Sequence, residues 1–285
     1  MNATAVRRAA TDPVLTWLYA PGDRPEVVAK ALRSGADVVI VDLEDAVAAD
    51  RKRYALDATA ELLADRHEVP VHVRINALSG PLAAGEARRL ASLPGLGGLR
   101  LPKVSRAADL VRVTGALGHG VRVPALYPLL EDALGVEHAY AVATAHPAVA
   151  GLALGEADLR ADLGVTDEAG LAWPRGRLVL AARAAGLPAP AQSVYPDVRD
   201  AEGLARSCTT GRALGFLGRA AIHPRQLRVI ERAFLPTRQE IDAAEEVLTA
   251  AATETGALAL PDGRFVDPAV VAGAHRTLTL ARRLG

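Results

Sequence analysis

Two acids, Glu131 and Asp158, each follow a short aliphatic run, and that placement suits a hard divalent cation. Glu131 comes directly after YPLL, and Asp158 lies a few residues beyond GLAL. On the ends of neighbouring parallel strands the two carboxylates would stand roughly 5 Å apart. Carboxylates that close repel unless a cation lies between them. Mg2+ takes one or two carboxylates, keeps several waters and completes its octahedron with substrate oxygens. Taken singly, either acid is as readily a helix cap or a solvated loop residue. No His pair at i, i+4 and no cysteine cluster offers a zinc alternative.

Arg74 closes another such run, VHVR, and its planar fork is able to grip a carboxylate in two places. Asp42, Glu44 and Asp45, in VDLED, are its natural ion-pair partners from one strand away. Pro21-Gly22-Asp23-Arg24-Pro25 reads as a turn into a helix, with Asp23 or Arg24 near the cap and Pro25 at the first helical position. Helix N-termini attract phosphates, and Arg24 and Lys30 add positive charge, although a plain capped loop fits the same residues. Lys103, in LPKV, reads as a bridge between acids before it reads as a base. His223 before Pro224 reads as a packed turn histidine, and Cys208 as a small buried residue. GxGxxG, GxSxG, HExxH and the P-loop pattern are all absent.

The elements that must position these groups follow one rhythm. Eight short β-rich runs occur: Val14–Tyr19, Val38–Val41, Val71–Ile75, Gly98–Leu101, Val121–Leu126, Val149–Leu154, Gln192–Tyr195 and Phe216–Ile222. Amphipathic windows separate them, which predicts parallel strands joined by helical crossovers. Runs such as VVIV are apolar throughout, as expected of strands buried on both faces. Eight units in about 220 residues favour a (β/α)8 TIM barrel over an open sheet, with 1–235 as the barrel. In such a barrel the C-terminal strand ends face the active site, and those are the places where the acids, Arg74, Lys103 and Asn76 fall. Residues 236–285 are expected to form a C-terminal helical extension, with helices over Gln239–Thr253 and Asp267–Leu284 and a hairpin turn at Asp262-Gly263.

Composition narrows the function classes. The chain of 285 residues carries 33 Lys+Arg and 33 Asp+Glu, so its formal net charge is zero. That balance argues against nucleic acid as a partner, because such a binding face needs excess cations. A single cysteine excludes a disulfide framework. No apolar run reaches the length of a membrane span, and residues 1–12 lack the apolar stretch of a signal peptide, so a cytoplasmic protein without membrane partners is the expectation. Only three of the 33 basic residues are lysines (Lys30, Lys52 and Lys103), and Asn2 and Asn76 are the only asparagines. The few that remain are candidates for places where an ammonium or an amide is required.

Six collinear motifs resemble the citrate lyase β-subunit-like branch of the HpcH/HpaI aldolase superfamily, whose relatives include malyl-CoA and citramalyl-CoA lyases. They are LYAPGDRPEVVAKALRSGADVVIVDLEDAV, VRINAL, LPKV, LALGEADLRADLG, GFLGRAAIHPRQL and FVDPAVVAGA, running in order from about Leu15 to Leu280. The resemblance implies a (β/α)8 barrel and Mg2+-dependent cleavage or formation of a carbon–carbon bond between an acyl thioester and a 2-oxo acid. It implies that Glu131 and Asp158 hold the metal, that Arg74 binds and polarises the oxo-acid group, and that Arg24 and Lys30 contact coenzyme A phosphates. It further implies that Asp267 is an acid/base supplied to a neighbouring subunit, making the enzyme a homo-oligomer, a trimer or hexamer. Alternatives within the same resemblance are a citryl-carrier-protein lyase subunit of a citrate lyase complex, or a non-catalytic barrel that binds a CoA ester. The chain departs from the family pattern at Asp132, where Thr is usual, at Gln192, where Asp is usual, and at Phe265-Val266 in place of Met-Ile.

Overall fold

The computed structural model describes residues 13–118, 120–253, 258–259 and 263–284. Residues 1–12, expected to lack an apolar leader, and Asp262, the first residue of the expected hairpin turn, lie outside the described residues. Two compact units emerge: Leu15–Glu231, and a second made of the stretch up to Val14 with Arg232–Gly285.

The first unit alternates strands and helices. Its strands are β1 (Thr16–Pro21), β2 (Val38–Asp42), β3 (Val71–Arg74), β4 (Leu96–Leu101), β5 (Leu126–Leu130), β6 (Ala153–Leu154) and β7 (Arg219–Ala221). They form one sheet in the order β6-β5-β4-β3-β2-β1-β7, and every pairing is parallel. Each crossover is helical, as parallel pairing demands: α1 (Pro25–Leu32), α2 (Lys52–Leu62), α3 (Ala83–Leu90), α4 (Ala107–Ala116), then α5 (Ala133–Glu137) and α6 (Ala139–Ala143), and α7 (Glu156–Leu163), α8 (Ala172–Ala184) and α9 (Ala201–Ala213). All five residues of β2 are buried, so VVIVD is covered on both faces, as its composition predicts. Leu18, Val39, Val41, Val73, Leu99, Leu101 and Leu126 carry the core around it.

The expected eight-stranded barrel appears as a seven-stranded curled sheet. The segment Gln192–Tyr195 contributes a single bridge, Gln192 to Arg219, instead of a strand. On its other side the Ser193 hydroxyl donates to the Leu154 carbonyl, so the two edges of the sheet face the same short segment. Pro188, Pro190 and Pro196 crowd this stretch, and each lacks the N–H that a ladder needs. Strand six shrinks for a related reason. Gly151 interrupts it, leaving an isolated bridge at Val149 and a two-residue strand beyond. Strand five begins at Leu126 instead of Val121, because Gly120 takes φ +78° and Pro124 cannot donate. The helical stretch after β5 breaks at His138 into α5 and α6.

The second unit is helical with a small antiparallel pair. α10 (Leu227–Phe234) runs into it, followed by α11 (Arg238–Thr253), β8 (Leu258–Ala259), β9 (Phe265–Val266) and α12 (Pro268–Ala281). β8 and β9 pair antiparallel, as the hairpin expectation required. Ala244, Val247, Val266 and Ala274 form its buried cluster. Among the described residues no helix is long and apolar enough to cross a membrane.

Candidate active site

Strand register places the polar side chains before any contact is considered. Asp42, Arg74, Arg100 and Tyr127 are consecutive register partners across β2, β3, β4 and β5, so they share one face of the sheet. Glu131 follows Tyr127 at an even interval and one residue beyond β5, so it belongs to the same face at the C-terminal end.

Arg74 is held from two sides. Its Nε and Nη2 donate to Asp42 Oδ1 and Oδ2 at 2.8 and 2.6 Å, a bidentate pair. Its Nη1 lies 3.1 Å from Glu44 Oε2 and 3.6 Å from Asp45 Oδ2. The same guanidinium sits over the Tyr19 ring, 5.3 Å from its centroid. Burial works against the charge, yet Asp42 keeps this arginine more firmly protonated than usual. Asp42 is saturated, because it also accepts the backbone N–H groups of Glu44 and Ala46 at 2.9 and 3.1 Å. Arg74 thus has the ion-pair partners expected for it, with Asp42 on Nε and Nη2 and Glu44 and Asp45 nearest Nη1.

Glu44 is buried, and burial raises its pKa against the opposing pull of Arg74 and Lys103. Lys103 reaches it with Nζ at 3.0 Å from Oε1, the bridge that LPKV suggests. Lys103 also adopts φ +54°, a left-handed conformation uncommon for a residue with a side chain. That turn aims its backbone N–H at Glu131 Oε2, 2.9 Å away. The turn Leu43-Glu44 is itself clamped. Lys52 Nζ donates to the carbonyls of both residues, and Asn76 Nδ2 donates to Leu43 at 2.9 Å. Asn76 is in turn fixed by the buried Glu86, at 2.6 Å from its amide.

Glu131 is only 5 % exposed, and its carboxyl pKa is pushed up to about 7. Burial is the main cause, and the charges of Glu44 and Asp158 add to it, while the Lys103 N–H and Arg74 oppose. Gly155 makes this packing possible. A Cβ there would stand 2.4 Å from Glu131 Cγ and 2.5 Å from Oε1. Asp158 lies on the first turn of α7 instead of directly on a strand end, because helix α7 starts at Glu156, immediately after Gly155. Its carboxylate is exposed and has no hydrogen-bond or ion-pair partner among the described residues, while its charge bears on Glu131. Neighbouring Glu156 is spoken for by Arg175, at 2.8 and 2.6 Å. Asp132 points elsewhere: it caps α5, accepting Gly135 N–H at 2.6 Å, and takes the Ser105 hydroxyl. Among the described residues no three His, Cys, Asp or Glu side chains converge to form a metal cage.

Arg24 is the N-cap of α1, with Pro25 at the first helical position, and Lys30 lies in its last turn. Both are exposed and without an acidic partner among the described residues. Gly22 keeps the preceding turn tight against β2, since a Cβ there would lie 2.8 Å from Leu43 Cδ2 and 3.0 Å from the Asp42 carbonyl. Asp267 belongs to the other unit, where it caps α12 by accepting the Val270 N–H at 2.9 Å. The first unit thus gathers Arg74, Glu131 and Asp158, with Arg24 at the end of the loop after β1 and Lys30 in the last turn of α1. Sequence reasoning passed over Arg100. It is 5 % exposed, its charge bears on Tyr19, and it is set over the Tyr127 ring at 5.4 Å. A charged residue in the middle of the otherwise apolar LRL was the available signal.

Residues 15–224 match the HpcH/HpaI aldolase/citrate lyase family. The chain belongs to that family. It is 34% identical over 281 residues to a (3S)-malyl-CoA thioesterase of Cereibacter sphaeroides, covering 95% of this chain and 96% of that one. It is 32% identical over 296 residues to citrate lyase subunit beta of Leuconostoc mesenteroides subsp. cremoris, covering 99% and 95%. Among solved structures, protein CitE of Mycobacterium tuberculosis in complex with magnesium, acetoacetate and coenzyme A superposes with a TM-score of 0.79 at 32% identity, covering 95% of this chain and 98% of that one.

Proposed function

We propose that this member of the citrate lyase β-like family is a Mg2+-dependent carbon–carbon lyase. It cleaves, or in reverse forms, a hydroxy-carboxyacyl-CoA thioester of the malyl, citramalyl or citryl type, giving an acyl thioester and an oxo acid. The observation that carries this reading is the pairing of a buried carboxyl, Glu131, with a free one, Asp158, beside an arginine held ready by Asp42. The CitE complex with magnesium, acetoacetate and coenzyme A supplies the ligand chemistry by likeness. In this reading the seven strands and the Gln192 segment are a (β/α)8 barrel whose eighth member is reduced to a bridge.

The residues fit a divalent cation. Asp42, Glu44, Asp45, Glu131 and Asp158 face Arg74, Lys103 and Arg100, one formal negative charge in excess while Glu131 holds its proton and two once a cation ionises it. Asp42 and Glu44 spend their oxygens on Arg74 and Lys103, which leaves Glu131 and Asp158 to hold the ion. Bound there, Mg2+ would supply Lewis-acid polarisation of the substrate's oxygens. Arg74 Nη1 binds the carboxylate and carbinol oxygen of the oxo-acid half and stabilises that oxygen as it becomes a carbonyl. The carbinol proton passes to solvent water, the bond to the thioester's α-carbon breaks, and the electron pair of that bond passes into a thioester enolate. Asp267 of a neighbouring subunit protonates that carbon, and in the condensing direction removes the same proton. Arg24 binds the carrier's phosphates at the N-terminus of α1, and Lys30, in the last turn of the same helix, adds a second cation for them. Such an arrangement requires a homo-oligomer, for which the family resemblance implies a trimer or hexamer.

A second reading, hydrolysis of the thioester, is favoured by the malyl-CoA thioesterase relative. One experiment separates the two. Purified protein with Mg2+ is given malyl-, citramalyl-, β-methylmalyl- and citryl-CoA, and oxo acid, acyl-CoA and free CoA are followed by mass spectrometry. Oxo acid with acyl-CoA from one substrate, abolished by EDTA and by Asp158→Ala, is the expected result. Free CoA with an intact hydroxy acid would replace the lyase by a hydrolase. No turnover from protein that still binds Mg2+ would overturn both.

A further inference from the structure

We infer that Asp162 is a positioning residue: it clamps α7 to the turn that carries Glu131, and so fixes the spacing of Glu131 and Asp158 for a small octahedral cation. This rests on the Mg2+ reading above and deepens it. Helix α7 has little apolar packing to hold it, because Leu159 is its one buried residue. Polar ties supply the rest. At the start of the helix Glu156 takes Arg175 Nε and Nη2 at 2.8 and 2.6 Å, and Arg175 is itself buried. Arg175 Nη2 also lies 2.7 Å from Glu168 Oε2, while Arg160 Nη2 donates to Glu168 Oε1 at 2.6 Å. Those bonds join α7 to the short turn Glu168–Leu171 and to α8, which follow it.

Asp162 reaches the other way. Its Oδ2 accepts the backbone N–H of Ala133 at 2.7 Å. Ala133 opens α5 two residues beyond Glu131, and an N–H in the first turn of a helix has no carbonyl of its own helix to meet. A carboxylate from a second helix satisfies that donor and joins the two elements that carry the metal's acids. Asp158 and Asp162 are four residues apart, so they share one face of α7 with about 6 Å of rise between them. That face meets the Glu131 turn twice, through the Asp162 bond and through the Asp158 charge that bears on Glu131. Asp132 makes no such tie to α7, since its bonds go to Gly135 of its own helix and to Ser105. Mg2+ demands a near-ideal octahedron of close oxygens, whereas Ca2+ accepts a wider and more flexible shell. Two carboxylates on clamped elements therefore favour Mg2+, and the same two on elements free to drift lose that preference.

The test titrates wild type, Asp162→Ala and Asp162→Asn calorimetrically with Mg2+ and, separately, with Ca2+. Asp162 is exposed, and Leu159 and the Arg175 pair stay in place, so the variants keep the fold; circular dichroism and Tm check this. Alanine should weaken Mg2+ roughly 10- to 100-fold, the usual effect of losing a group that orients a metal ligand. It should weaken Ca2+ by a clearly smaller factor, so that the preference for Mg2+ narrows. Asparagine keeps an oxygen for the Ala133 N–H without the charge, and should recover most of the Mg2+ affinity and the preference. Unchanged Mg2+ affinity in Asp162→Ala, or equal losses for the two ions, would overturn the clamp while the Mg2+ reading stands. An asparagine variant as weak as the alanine one would also overturn it, because Asp162 would then act through its charge alone. A wild type that binds neither ion would instead defeat the Mg2+ reading, and the clamp with it.

Discussion

In the metal-free protein, Glu131→Gln should become progressively more stable than the wild type as pH rises from about 4.5 to about 7. The carboxyl of Glu131 is pushed from its ordinary 4.5 to about 7, chiefly by burial and then by the charge of Glu44. Between those values the unfolded chain has released the proton and the folded chain still holds it. The folded state binds more protons, so wild-type stability falls as pH rises and the loss is complete above about 7. At about 1.4 kcal/mol for each tenfold difference, the displacement removes about 3 kcal/mol. Glutamine keeps the shape and the acceptor for the Lys103 N–H but has no charge to desolvate. Urea denaturation in EDTA across pH 4.5–8, for both proteins, gives the difference curve directly. Excess Mg2+ should then shrink or reverse the advantage, because the ion binds the folded wild type and not the variant. A flat difference curve would refute the reasoning, since Glu131 would then be titrating as a solvated acid.

Three further outcomes test the same geometry. Gly155→Ala should cost about 1–3 kcal/mol of stability through overpacking and weaken Mg2+ at least about tenfold, because the new Cβ displaces the Glu131 carboxylate; calorimetry with an unchanged Mg2+ affinity would contradict this. Asp132→Ala should lose about 1 kcal/mol with the α5 cap and leave Mg2+ affinity alone; weakened metal binding would make Asp132 a ligand after all. Arg74→Lys keeps the charge but loses the fork on Asp42, and should lower kcat/KM roughly 10- to 100-fold, the value of a charged hydrogen bond; full activity would remove Arg74 from the oxo-acid site.

The alternation of strand and helix was legible because parallel strands buried on both faces must be aliphatic throughout, as β2 is. Strand length was not legible where glycine and proline intervene. Gln192–Tyr195 is barely apolar, and with three prolines around it the segment is reduced to one bridge. Helix α3 was hidden because its buried face is Ala83, Glu86, Ala87 and Leu90, with an acid in the middle of the core stripe. That acid is there for Asn76, a contact ten residues away that periodicity does not carry. Asp132 misled in the opposite direction. It stands out in the sequence as an acid beside Glu131 where Thr is usual, and only the extended backbone at the start of α5 shows that it turns to Gly135 and Ser105.

Residue scarcity proved the more telling signal, and its physical basis is specific. In a chain that uses arginine for nearly every cation, Lys52, Lys103 and Asn76 all converge on the turn Leu43-Glu44. An ammonium is a compact point donor that meets two adjacent carbonyls at once, as Lys52 does. A guanidinium spreads its donors over a rigid plane and cannot substitute there. Arg74, by contrast, needs that plane, because Asp42 takes two parallel bonds and leaves the third nitrogen for Glu44 and the strand ends. The turn so clamped holds Glu44 in place, Glu44 raises the pKa of Glu131, and Glu131 remains a carboxyl that a cation would ionise. Composition exposed which side chains had to be unusual; the register of β2 against β3 and the left-handed turn at Lys103 decide what each of them touches.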